Sequence, residues 1–125
     1  MTHHPHPHPL ALPALLLAVC ASASAFAAGA PGIDSVRFPD VRTVRYQCDG
    51  GKDLTVRYFN SPDNQAAILR LEGKPVLAVS VVSGSGARYV GGRYEWWTQG
   101  DDGTLRDLMQ TDASPPMLGG CRAVR

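Results

Sequence analysis

From residue 43 onward, apolar and polar residues alternate in short runs, with Gly, Pro, Asn and Asp gathered between them. A period of two puts alternate side chains on opposite faces, so each run predicts a strand buried on one side. Residues 43–48 (TVRYQC) set Val44, Tyr46 and Cys48 against Arg45 and Gln47, and Asp49-Gly50-Gly51 then turns the chain. Residues 54–60 (LTVRYFN) place Leu54, Val56 and Tyr58 inward, with Thr55 and Arg57 outward. In residues 66–72 (AAILRLE) the inward set is Ala67, Leu69 and Leu71, although Ile68 interrupts the polar face. Residues 76–83 read as a more fully apolar strand, followed by the Gly/Ser-rich stretch SGSGAR and Tyr89. Beyond the Gly91-Gly92 turn, residues 93–98 (RYEWWT), 104–109 and 121–124 read as three more strands. Strands this short and evenly spaced, with no helix of ten residues, predict an all-β antiparallel sandwich or small barrel.

The N-terminus breaks this pattern. Residues 10–28 read LALPALLLAVCASASAFAA, an apolar stretch followed by small residues, as in a secretory signal. Ala25-Phe26-Ala27 offers the small-x-small site of a signal peptidase, which predicts a signal peptide over 1–27 with cleavage after Ala27. Residues 28–42 then form a leader without period, and 43–125 the domain. His3, His4, His6 and His8 alternate with prolines in a metal-tract pattern, but cleavage would discard them, so the tract reads as an unusual signal n-region. Cys20 raises the alternative of lipid attachment. The bulky Val19 before it, where a lipobox wants a small residue, favours a soluble periplasmic product. Cleavage leaves Cys48 and Cys121, and an even pair in a small exported domain implies a disulfide.

Charge and side-chain inventory narrow the function. Twelve Lys+Arg against eleven Asp+Glu give a net charge of +1, so no basic footprint for nucleic acid exists. Nothing after residue 30 approaches the length of a membrane-spanning helix. All four histidines precede the cleavage site, which removes Ser-His and Cys-His pairs, and paired cysteines leave zinc no ligands. Glu95 with Asp101 or Asp102 could form a glycosidase pair, but solvated strand-end and turn roles account for them better. The chain therefore reads as a binder, with no enzyme activity, cofactor or metal.

Three features occur in order: Tyr46-Gln47-Cys48 before Asp49-Gly50-Gly51-Lys52, the loop Ser85-Gly86-Ala87-Arg88-Tyr89, and Glu95-Trp96-Trp97-Thr98-Gln99-Gly100 before a late Cys121. Together they resemble the MliC/PliC family of bacterial inhibitors of c-type lysozyme, over about residues 43–124. The resemblance implies an eight-stranded antiparallel β-barrel closed by a Cys48–Cys121 disulfide. It also implies that the S-G-x-x-Y loop enters the lysozyme cleft. There Ser85 meets the catalytic carboxylates, Gly86 lets the backbone into a narrow groove, and Tyr89 props the loop.

One position departs from the pattern. The family carries Lys in the W-W-T-K-G segment beside Gly100, and here that residue is Gln99. Gln can hydrogen-bond a carboxylate but cannot form an ion pair with it. Charged hydrogen bonds contribute roughly 1.5–3 kcal/mol against about 0.5–1.5 for neutral ones. Arg88 and Arg93 are the neighbouring candidates for the missing charge, their plainer reading being solvated strand-end arginines. Asp101, Asp102, Asp107 and Asp112 make the following segment acidic, which suggests a patch for the basic rim of lysozyme. Trp96 and Trp97 must face opposite sides of their strand, the outer one stacking on a sugar, closing a barrel seam or packing under a loop. Two rival readings remain at this stage: a carbohydrate or peptidoglycan module, and a divergent barrel that has lost inhibition. Monomer and dimer are both open.

Overall fold

The structure is a computed structural model that describes Met1 and residues 35–125. The signal peptide, the His/Pro tract, Cys20 and the start of the leader lie outside the described residues. Eight strands form a closed antiparallel barrel in which each pairs with the next and the last returns to the first. They are β1 (Asp40–Cys48), β2 (Lys52–Asn60), β3 (Gln65–Leu71) and β4 (Lys74–Val81), then β5 (Ala87–Gly91), β6 (Tyr94–Gln99), β7 (Asp102–Asp107) and β8 (Leu118–Ala123). Closure removes sheet edges, so no strand is left as a template for unwanted pairing.

The inward set follows the alternation. Tyr46 and Cys48 on β1, Leu54, Val56 and Tyr58 on β2, and Ala67 and Leu69 on β3 are buried. Ala78, Tyr89, Trp96, Leu105 and Cys121 complete the core from the remaining strands. Trp96 is fully buried at the centre, its ring edge-on to Tyr46 with centroids 4.9 Å apart. A Cβ at Gly103 on β7 would lie 2.3 Å from Cη2 of that indole, so only glycine leaves room for the ring. The polar tips in this interior are satisfied. Trp96 Nε1 donates to the Tyr58 hydroxyl at 2.8 Å, and Tyr58 and Tyr46 share a second bond at 2.8 Å. Burial pushes the Tyr58 and Tyr89 phenols above their ordinary range.

The closing seam is the barrel's shortest ladder. β1 meets β8 only at Tyr46↔Ala123 and Gln47↔Arg122. The Cys48–Cys121 disulfide lies immediately beside those pairs and staples the seam across a sequence separation of 73. Val124 N also donates to the Arg45 carbonyl at 2.8 Å, extending the seam past the end of β8.

Several element bounds differ from the sequence expectation. β1 begins at Asp40, three residues inside the stretch read as leader, because residues 40–42 pair with β2. Phe38 packs edge-on to Phe59 at 5.7 Å, which ties the end of the leader to the barrel. β4 spans Lys74–Val81 and ends before Val82 and Ser83. β7 ends at Asp107, where Arg93 O accepts from Leu108 N and turns the chain away from the sheet. β8 starts at Leu118 and includes Gly119-Gly120, read in the sequence only as a lead-in. The strand missed from alternation alone is β5, which takes in Ala87, Arg88 and Tyr89. Its five residues, ending in glycine, carry too little pattern to stand out.

Candidate partner-binding loop

Antiparallel pairing gathers one set of connections at one end of the barrel. These are residues 61–64 between β2 and β3, residues 82–86 between β4 and β5, and residues 100–101 between β6 and β7. Of the motif Ser85-Gly86-Ala87-Arg88-Tyr89, only Ser85 and Gly86 are loop; the rest is strand. This division sets what each residue can do.

Ser85 is exposed, and its backbone carbonyl is held twice. Ser83 Oγ donates to it at 2.7 Å and Trp97 Nε1 at 3.0 Å. Among the described residues the Ser85 hydroxyl makes no hydrogen bond, so it is available to a partner. Gly86 takes φ +65°, where side chains are disfavoured, and a Cβ there would lie 2.2 Å from the Thr98 carbonyl oxygen. The loop therefore lies flat against β6, and Trp97, the outward indole, sits beneath it. Of the three roles open to the outer tryptophan, packing under a loop is the one the structure shows.

Tyr89 is 5% exposed and turns into the barrel, its ring 5.6 Å from that of Tyr58. It anchors β5 from inside and offers a partner almost no surface. Gln99 and Gly100 are both exposed at the β6–β7 turn, on the same end as the loop.

The arginines nominated for the missing charge are already engaged. Arg88 pairs with the half-buried Glu95 across the β5–β6 ladder. Arg93 grips Asp107 with two hydrogen bonds, Nε to Oδ1 at 2.9 Å, and this holds the Asp107 carboxyl below the usual carboxylate range. Arg93 also belongs to the β5–β6 turn, at the end of the barrel away from Ser85. The proposed acidic patch is mostly neutralised as well. Asp102 pairs with Arg122 at 3.0 Å, Asp101 with Arg125 at 2.7 Å, and Asp107 with Arg93. The Glu95, Asp101 and Asp102 carboxylates considered as a glycosidase pair are thus each held by an arginine. Among the described residues, no group of three or more His, Cys, Asp or Glu could hold a metal ion, and no helix is long and apolar enough to cross a membrane.

Sequence reasoning missed Ser83 as a brace of the loop, and foresaw a tryptophan packed under a loop without saying which tryptophan or which loop. Parity put one of Trp96 and Trp97 outside without saying which, and nothing in the linear pattern shows that Trp97 lies under residues 85–86.

The chain is thus a closed eight-stranded barrel that presents a small-residue loop braced from both sides, a geometry suited to recognising a partner. Bracing in advance lowers the ordering cost of binding. The family described as "Membrane-bound lysozyme-inhibitor of c-type lysozyme" (MliC) matches residues 46–114. A Cupriavidus necator protein named membrane-bound lysozyme inhibitor of C-type lysozyme is 75% identical over 97 residues, 78% of each chain. A Pseudomonas aeruginosa protein of the same name is 43% identical over 67 residues, 53% of each chain. The crystal structure of Pseudomonas aeruginosa MliC in complex with hen egg white lysozyme has a TM-score of 0.56 at 30% identity, covering 77% of this chain and 100% of that one. A Salmonella typhimurium periplasmic inhibitor, PliC-St, shares the fold with a TM-score of 0.58 at 21% identity, over 68% of this chain and 99% of that one. This chain belongs to the MliC family.

Proposed function

We propose that the chain is a proteinaceous inhibitor of c-type lysozyme that inserts residues 83–86 into the enzyme's active-site cleft. The observation that carries this reading is the doubly held carbonyl of the exposed Ser85, which fixes the loop while the hydroxyl makes no hydrogen bond among the described residues. Ser85 then donates to the partner's catalytic carboxylates, with Gln99 and Gly100 as the adjoining polar contact. Arg88 and Tyr89 act from within the barrel wall, Arg88 by fixing Glu95 and Tyr89 by packing. The protein blocks a reaction and runs none of its own. We place it in the periplasm after cleavage at Ala27, with Val19 disfavouring lipid attachment at Cys20.

A weaker inhibitor than its lysine-bearing relatives is the second reading with an observation behind it: Gln99 is neutral, and Arg88 and Arg93 are committed to carboxylates. The sugar-platform reading loses support because Trp97 donates its indole N–H to the loop. A lysozyme turbidity assay with the purified mature chain, run beside Ser85→Ala, tests the proposal. Inhibition by the parent at micromolar concentration, reduced by the substitution, is expected; a parent that leaves lysis unchanged refutes it.

A further inference from the structure

The loop is too small to account for a stable contact. Specific protein interfaces bury about 800 Å² on each partner, roughly 20–30 residues a side, and residues 82–86 supply five. A cleft that takes in a loop also lays its walls along that loop's flanks, so the surface beside residues 82–86 must be covered too.

One flank is apolar. Val82, at the root of the loop, is 93% exposed, and Val79 and Leu77 on the outward face of β4 are 52% and 54% exposed. The core does not use them, because β4 turns Val76 and Ala78 inward. With Ile68 and Phe59 they line a groove of about 1020 Å³ that runs from the loop down the outer wall of β2, β3 and β4, with Val36 and Phe38 of the segment before β1 along one side. A strand on the outside of a barrel in water ordinarily alternates to polar residues at these positions. Contiguous exposed apolar surface of this kind marks an interaction site.

We infer that this apolar shelf is the second half of the inhibitory interface and receives one wall of the lysozyme cleft while the loop occupies its floor. This rests on the proposed function. The shelf is assigned to that partner, ahead of a second copy or a lipid surface, because Val82 is continuous with the inserting loop. The loop alone also leaves most of the necessary area unfilled. Binding along the shelf is apolar, so its contribution appears as slower dissociation and is insensitive to salt.

Kinetics of hen egg white lysozyme binding to the immobilised mature chain test this, using Val82→Ser, Leu77→Ser and the double variant. Met109→Ser, 74% exposed in the connection at the opposite end of the barrel, is the control. Val82→Ser is expected to weaken affinity about tenfold through faster dissociation, and the double variant further, at both low and moderate salt. Met109→Ser leaves the affinity unchanged. Melting curves monitor the fold, and the isosteric Val82→Thr gives the same direction if the serine variant loses stability. A parent that binds lysozyme and a double variant within twofold of it overturn the shelf alone. A parent that does not bind overturns both the shelf and the function. Unchanged lysozyme affinity with loss of self-association or of vesicle binding gives the shelf to another occupant and equally overturns the inference.

Discussion

Gly86→Ala isolates the geometry of the loop from its chemistry, because it adds one methyl and removes no functional group. Two costs follow from the structure. The backbone stands at φ +65°, where an L-residue costs about 1–2 kcal/mol. The new Cβ would also lie 2.2 Å from the Thr98 carbonyl oxygen, well inside ordinary contact, and a backbone atom cannot rotate away. The loop must lift from β6 by about 1 Å, which stretches the bonds from Ser83 and Trp97 to the Ser85 carbonyl. Each contributes roughly 0.5–1.5 kcal/mol. Strain and lost bonds sum to about 3 kcal/mol. An exposed loop relaxes more easily than a barrel, so we expect the melting temperature to fall by only a few degrees. Affinity for lysozyme should fall about a hundredfold. Gly84→Ala is the structural control: no heavy atom lies within 4 Å of its Cβ, and it should melt with the parent. Titration of lysozyme activity with Gly86→Ala beside the parent reads the difference, and Gly84→Ala serves for the melting comparison alone. A Gly86→Ala variant that inhibits within threefold of the parent would refute the claim that a loop pressed onto β6 is needed.

Three further outcomes are expected. Gln99→Lys restores a charged contact, worth about 1 kcal/mol or more, and should tighten inhibition close to tenfold at low salt; an unchanged inhibition constant would show that this position does not face the partner's carboxylates. Replacing both Cys48 and Cys121 with Ser releases a 73-residue separation, worth about 4 kcal/mol in the chain-entropy model, and should lower the melting temperature by more than about 15 °C. A shift under 5 °C would mean that the two-pair β1–β8 seam holds without its staple. Tyr58 and Tyr89 carry raised pKa values, so above about pH 10 the unfolded chain releases protons that the folded chain keeps. Stability should be level near pH 8 and fall as pH rises beyond 10, read from urea midpoints; a flat midpoint to pH 11 would contradict burial of these phenols.

Much of the fold was legible in the linear pattern, because a period of two reports directly which side of a strand is buried. Val44, Tyr46 and Cys48, or Leu54, Val56 and Tyr58, announce their inward face without reference to any other segment. The pairing of Cys48 with Cys121 also follows from counting cysteines. Motif order singled out Ser85, Gly86, Gln99 and Gly100, and the fold brings their turns to one end of the barrel. What alternation could not supply was closure into a barrel and the partner each side chain finds across it. Arg88 and Arg93 look like free cations in the sequence, yet Glu95 and Asp107 take them through strand pairing and turn geometry. Leu77 and Val79 look like core in an apolar run, yet the inward places on β4 belong to Val76 and Ala78. Trp97 becomes the support of residues 85–86 only because β5 and β6 pair. The sequence by itself determined which residues face inward on the cleanly alternating strands, because a period of two needs no other segment to be read. Only the tertiary structure decided which charges are spent, which apolar surface is left over and what holds the loop rigid, because those depend on distances between strands far apart in the chain.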